Sequence, residues 1–220
     1  MSILTAARLN ALKTRPLLET NWHYLSASVL TTLNKTNDVP VLYKYALEHA
    51  PSSEHAHLTA QFRESLLKSA ALIGLPRVIN GLTALKDATP PEFRASTLLR
   101  DADRTDFRTD GRDLFALIYN KITNRVHGNL KLAYPDLDWF IQNFEYGPLL
   151  ACTKVLGAKE TSLVVISALI SQDVNPQLKG HLKGAVNTGS TPEEVNAVRA
   201  LAMEIAGWYG HQFPNLVSKL

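Results

Sequence analysis

The 220-residue chain has a single cysteine, Cys152, so it forms no internal disulfide and cannot bring two of its own thiols into one redox site. It has no excess of one charge either: 23 Lys and Arg stand against 20 Asp and Glu, a net charge of +3. So small a surplus does not hold a polyanion, and neither nucleic acid nor a membrane surface is an expected partner. Long apolar runs are missing as well. The longest, residues 163–170, is less than half of the ~20 residues that a helix needs to cross a bilayer. The opening Met1-Ser2-Ile3-Leu4-Thr5 leads into an amphipathic stretch rather than a basic segment with an apolar run and a cleavage site, so a secreted product is not expected. Neither a Gly-x-Gly-x-x-Gly nor a Gly-x-x-x-x-Gly-Lys loop occurs, nor a Gly-x-Ser-x-Gly elbow, so nucleotide cofactors and serine hydrolysis have no motif behind them. The one metal-like cluster, His55-x-His57 with His49 and Glu54, has i, i+2 spacing, which sends two helical side chains in different directions. No cofactor and no metal are expected.

What is present is helical. With 45% apolar content the chain can bury one substantial core, and its apolar residues recur at three- and four-residue intervals, with no clean alternation of strand length. The expected fold is all-α. Helices are predicted at 6–12, 22–33, 41–47, 54–73 and onward to 85, 114–132, 136–150, 159–171, 176–187 and 192–209. Gly74-Leu75-Pro76 should interrupt the fourth, and Thr191, Pro192 and Glu194 form a capping box with proline at the first helical position of the last. Residues 163–170 would be apolar on every side as a helix, which one neighbour cannot cover, so subunit association is expected to cover the remainder; a buried parallel strand is the competing reading.

Between residues 100 and 113 the chain has four Arg and five Asp, so little of it can be buried, and it reads as a linker. The expected organisation is an N-terminal helical half (1–99), the charged linker (100–113), a second helical half (114–212) and a tail (213–220). Arg100, Arg104, Arg108 and Arg112 would form one ridge on a helix, an anion-binding face, or would pair with neighbouring Asp in a solvated loop. A faint echo of residues 62–74 in 192–207 allows two related helical halves. Cys152, beside Leu149, Leu150 and Val155, reads as a small buried apolar residue, and His127, before Gly128, as a helix-end residue.

A more specific pattern runs from Glu145 to Gly207. Tyr146-Gly147, Ser162-Leu163-Val164, His181-Leu182-Lys183-Gly184-Ala185-Val186-Asn187-Thr188-Gly189 and Glu193-Glu194-Val195 follow in order. This resembles a carboxymuconolactone decarboxylase domain, of the superfamily that also contains the AhpD-like alkylhydroperoxidases. The resemblance implies an AhpD-like helical bundle that assembles as a trimer or hexamer. With His181 set on the family's histidine, Val174 and Gln177 fall where the peroxidase branch has its Cys-x-x-Cys pair, and Ser162 where it has a proton-relaying Glu. Dithiol peroxidase chemistry needs a thiolate attacker and a resolving thiol, and Val and Gln supply neither. The decarboxylase branch uses no cysteine.

His181 lies on or beside the apolar stripe of its helix, where an imidazole can take and return a proton during decarboxylation or lactone opening without a metal; it can equally be a satisfied core histidine. Glu145, Tyr146 and Glu160 are candidates for an acid, a hydroxyl donor and an orienting carboxylate, although Glu160 is also explained as favourable charge at a helix N-terminus and Tyr146 as packing in a turn. The expected function is cofactor-free action on a small organic acid or lactone. The other reading is a superfamily member without catalysis that binds a ligand or serves assembly. The chain ends in Ser218-Lys219-Leu220, the tripeptide that a peroxisomal import receptor reads at a free C-terminus, with Phe213-Pro214-Asn215 setting it apart from the last helix. The peroxisome matrix is the expected location and the import receptor an expected partner.

Overall fold

The computed structural model describes residues 2–101, 103–104, 106–214 and 217–220. Among them there is no strand, and the all-α expectation holds. Thr5 starts α1 (Ala6–Lys13) by accepting from the Arg8 backbone N–H. The next helix, α2 (Trp22–Thr32), precedes α3 (Val39–Glu48), which has Pro40 in its first turn. A long helix, α4 (His55–Lys68), passes into the short α5 (Ala70–Ile73), and Gly74, at a φ of 79°, ends it before α6 (Leu75–Ala88) begins with Pro76 in its first turn. The expected interruption at Gly74 is therefore present.

The predicted helix 114–132 is two. α7 (Arg108–Tyr119) stops at Asn120, whose φ of 48° cannot continue a right-handed helix, and α8 (Thr123–Ala133) restarts after a 3₁₀ turn. The predicted helix 136–150 also divides: α9 (Pro135–Phe140) widens into a π-helical segment (Ile141–Leu150). Pro148 lies inside that segment and has no N–H to give, and the turn closes with the Ala151 N–H bonding the Tyr146 carbonyl at 2.8 Å. The last three helices, α10 (Ala158–Ser171), α11 (Asn175–Asn187) and α12 (Pro192–Trp208), lie close to expectation, and α12 has the full capping box of Thr191 and Glu194.

Two helices are sunk in the rest. Every residue of α2, and every residue of α10 from Thr161 onward, is buried. α2 packs against α10, α3, α4 and α12, and α10 against α2, α4, α11 and α12, so each central helix touches helices from both ends of the chain. The apolar circumference of α10 is thus covered within one chain, and the need for a second subunit inferred from it disappears. Most buried hydroxyls of these two helices are satisfied locally, although that of Tyr24 on α2 has no hydrogen-bond partner among the described residues. Thr31 and Thr32 donate to carbonyls one turn back, and at the crossing Ser167 of α10 donates to Ser28 of α2, which also bonds Ser69.

Two cations join the N-terminal helices to the segment after residue 147. Lys68, fully buried at the end of α4, gives its three protons to the carbonyls of Leu150 and Cys152 and to the Thr161 hydroxyl, at 2.7–2.8 Å. Burial lowers its pKa to about 8, against the opposing pull of Glu64. Arg100 forks onto Glu64 at 3.0 and 3.1 Å and also bonds the carbonyls of Pro148 and Leu149. The four arginines share no ridge: Arg100 serves this clamp, Arg104 pairs with Asp110 and Arg108 with Asp106, both at the surface. Cys152 is half-buried, and its backbone carbonyl belongs to the Lys68 clamp.

Candidate functional site

His181 comes from α11, whose buried stripe is Leu178, Leu182 and Ala185. One glycine on this helix sets how closely it meets α7. A Cβ at Gly184 would lie 2.6 Å from Ile118 Cγ2, closer than a methyl group can come, so the bare backbone lets the two helices touch. Asn187 fastens the contact by donating to the Ile118 carbonyl at 2.8 Å. The result is that His181 Nε2 lies 3.2 Å from the Tyr119 hydroxyl.

A second close approach supplies the next member. A Cβ on Gly111 of α7 would meet the Gln142 carbonyl at 2.5 Å, and one on Gly147 would meet Phe107 at 2.8 Å. These glycines let α7 lie against the π-helical segment, and Tyr146 there donates its hydroxyl to Tyr119 at 3.4 Å. A chain from Tyr146 through Tyr119 to His181 follows, with both bonds at the long end of the hydrogen-bond range. If Tyr119 donates in turn, His181 accepts at Nε2 and its own proton sits on Nδ1.

The surroundings hold all three groups neutral. His181 keeps part of its surface accessible, but its ring is crowded by packed neighbours and desolvation lowers its pKa to about 4. Burial raises the pKa of Tyr119, and raises that of Tyr146 well above the ordinary phenol value. Glu145, half-buried beside Tyr146, has one carboxylate oxygen, Oε2, sealed without a hydrogen-bond partner, and desolvation raises its pKa. The structure thus joins His181 and Tyr146 through Tyr119, and Glu145, the residue before Tyr146, acts on the Tyr146 phenol by its charge. It groups Glu160 elsewhere, in the first turn of α10, where its charge acts on Tyr24 and Lys68. Ser162 is fastened to Thr188 at 3.0 Å, next to the end of α11. Tyr119, the connecting residue, was missed in the sequence; its only signal is a place four residues after Phe115 on the buried side of an amphipathic helix.

The C-terminal tail rests on the body of the protein. Val217 is buried, Arg199 donates to the carbonyls of Val217 and Ser218, and the Ser218 N–H bonds Asn175 Oδ1 at 2.8 Å. Only Lys219 and Leu220 of the tripeptide are exposed, so the end is less free than its sequence suggests. Among the described residues no helix is long and apolar enough to cross a membrane.

Residues 135–210, which contain His181, Tyr146 and Glu145, match the model of the carboxymuconolactone decarboxylase family. The protein named Peroxisomal protein 2 of Saccharomyces cerevisiae is 35% identical, with 99% of each chain covered. The chain belongs to the carboxymuconolactone decarboxylase family. Peroxisomal protein 2 of Schizosaccharomyces pombe is 37% identical over 91% of this chain and 92% of that protein. With two such relatives, this family member is peroxisomal. No solved structure matches it. Tyr119 lies outside the segment matched by the family model, so the buried chain joins the family domain to helix α7.

The two desolvated histidines make stability depend on acid. His181 and His23, the latter buried on α2 against Gln61, both have folded-state values of about 4. The unfolded value is about 6.5, so between these limits the unfolded state binds more protons; stability is full above the upper limit and falls as the pH drops toward the lower. Each histidine contributes a slope of about 1.4 kcal/mol per pH unit inside that window. Urea unfolding at pH 7 and pH 5 should show this loss, and His23→Gln should halve it; equal stability at both pH values would contradict the burial of these rings.

Proposed function

We propose that this peroxisomal member of the carboxymuconolactone decarboxylase family is a cofactor-free enzyme that decarboxylates a small organic acid or opens a lactone. The chain of hydroxyls from Tyr146 through Tyr119 to His181 carries this reading. A proton delivered at the Tyr146 end moves along it one bond at a time, each phenol giving one proton and receiving one, and His181 Nε2 takes the last. A ring whose pKa is depressed to about 4 returns that proton readily. It accepts one when a substrate carboxylate nearby offsets the desolvation, which favours an anionic substrate. Glu145, with an unpartnered oxygen and a raised pKa, supplies the general acid.

One observation favours a second reading, a ligand-binding member without turnover. Ser162, at the position where the peroxidase branch has its relaying carboxylate, is bound to Thr188 and supplies no acid. Assembly as a trimer or hexamer and delivery by an import receptor that reads Ser218, Lys219 and Leu220 complete the proposal. Trp139, Phe140 and Phe144, about half exposed on α9 and the π-helical segment, support assembly as an apolar face to cover.

A screen of the purified protein against small lactones and keto acids, carboxymuconolactone among them, should find turnover that His181→Gln lowers about 100-fold or more in kcat/KM. Unchanged turnover in that variant removes the mechanism, and specific binding with no turnover establishes the second reading. Light scattering should return the mass of three or six chains, and a fluorescent fusion lacking Leu220 should stay outside peroxisomes. A stable monomer, or import without that residue, would refute the corresponding part.

A further inference from the structure

A cleft of about 550 Å³ lies against α7, α8, α9 and the start of the π-helical segment. His127, read from the sequence as a helix-end residue, is inside α8 and lines it. Its ring stacks on Phe115 with centroids 4.5 Å apart, and its Nδ1 lies 2.6 Å from Oδ1 of Asp138, a carboxylate only 6% exposed. An imidazole that gives its Nδ1 proton to a buried carboxylate is fixed in one orientation and tautomer, with Nε2 left as an acceptor. Among the described residues Nε2 has no hydrogen-bond partner.

Gln142 lines the same cleft from the π-helical segment. It is 7% exposed, and both its amide oxygen and its amide nitrogen are buried without a partner. A buried amide with neither group satisfied costs stability, and a fold keeps one where something else completes it. Arg112 also lines the cleft and is exposed; it makes no ion pair with any described residue, whereas Arg108 beside it is held by Asp106. Lys131 adds a third cation, 3.7 Å from Asp138, so three cations line the cleft against one carboxylate.

These groups offer a guanidinium and an amide N–H for an anion, and two acceptors, Nε2 of His127 and Oε1 of Gln142, for hydroxyls. We propose that the cleft is a binding site for a small hydroxylated carboxylate, with its carboxylate on Arg112 and Gln142 Nε2 and its hydroxyls donated to His127 and Gln142 Oε1. One aromatic ring separates this cleft from the buried chain, since Phe115 also meets Tyr119 and Tyr146, at 4.5 and 4.9 Å between centroids. The two sites share no side chain, and this inference does not rest on the reading for His181.

Calorimetric titration of the full-length protein with tartrate and with succinate, which has the same skeleton without hydroxyls, tests it. Tartrate should bind at least 10-fold more tightly than succinate, and Gln142→Leu and Arg112→Gln should each weaken tartrate at least 10-fold. Gln142→Leu should also raise the melting temperature of the unliganded protein by about 2–4 °C, because the orphaned amide is gone. Equal affinity for the two acids, no binding of either, full tartrate affinity in either variant, or a lower melting temperature for Gln142→Leu would overturn the proposal. Because the readout is binding and not turnover, failure at His181 leaves this result untouched, and the reverse also holds.

Discussion

Burial of two helices along nearly their whole length is the constraint on which the rest of the structure depends. A helix apolar on one stripe needs one neighbour, but α2 and α10 have no side that can face water, so several helices from both ends of the chain must close around them. Most polar atoms trapped with them are satisfied inside, the Tyr24 hydroxyl excepted. Threonines bond their own helix one turn back, and Ser28 and Ser167 bond each other where the two helices cross. The outer layer is fixed by this enclosure: α11 lies against α10, and its other flank meets α7. His181 belongs to that second contact, so its desolvation follows from the packing that closes the core.

The segment bearing Tyr146 and Gln142 depends on a different device. A π-helical stretch containing proline is poorly held by its own backbone, and its far end is fastened by Arg100 and Lys68, which together take the carbonyls of Pro148, Leu149, Leu150 and Cys152. Lys68 gives all its protons to oxygen acceptors, which is how an ammonium group is tolerated at full burial. Glycines at 111, 147 and 184 then let three pieces of backbone meet at distances that a methyl group would forbid. The chain of Tyr146, Tyr119 and His181 is thus a product of backbone proximity.

The sequence made the helices legible because apolar spacing, proline and capping residues act locally. The Thr191–Glu194 box and the break at Gly74 were readable from a few neighbouring residues, and both are present. The break at Asn120 was not, since asparagine is among the residues that take positive φ but most asparagines do not, and nothing beside this one marks it as a break. The π-helical widening was hidden as well, although Pro148 marked the place. Of the candidate residues, His181 and Tyr146 come together through Tyr119, Glu145 acts on its neighbour Tyr146 by charge, and Glu160 goes with Lys68 and Tyr24. Tyr119 and Gln142 could not be singled out, and His127 was named only as a helix-end residue, because what distinguishes them is a partner, or the lack of one, set by the fold. The all-round apolar helix was read correctly as needing cover, but the cover is α2, α4, α11 and α12 of the same chain.

A neutral, desolvated imidazole stands at the end of the tyrosine chain. Titration of the His181 ring by nitrogen-15 magnetic resonance addresses it directly, because the two ring nitrogens report charge and tautomer separately. The structure predicts a neutral ring with its proton on Nδ1 from pH 8 down to pH 5, and protonation only near the folded-state value of about 4. A ring that titrates near 6.5, or that has its proton on Nε2, would contradict the buried chain and the mechanism built on it.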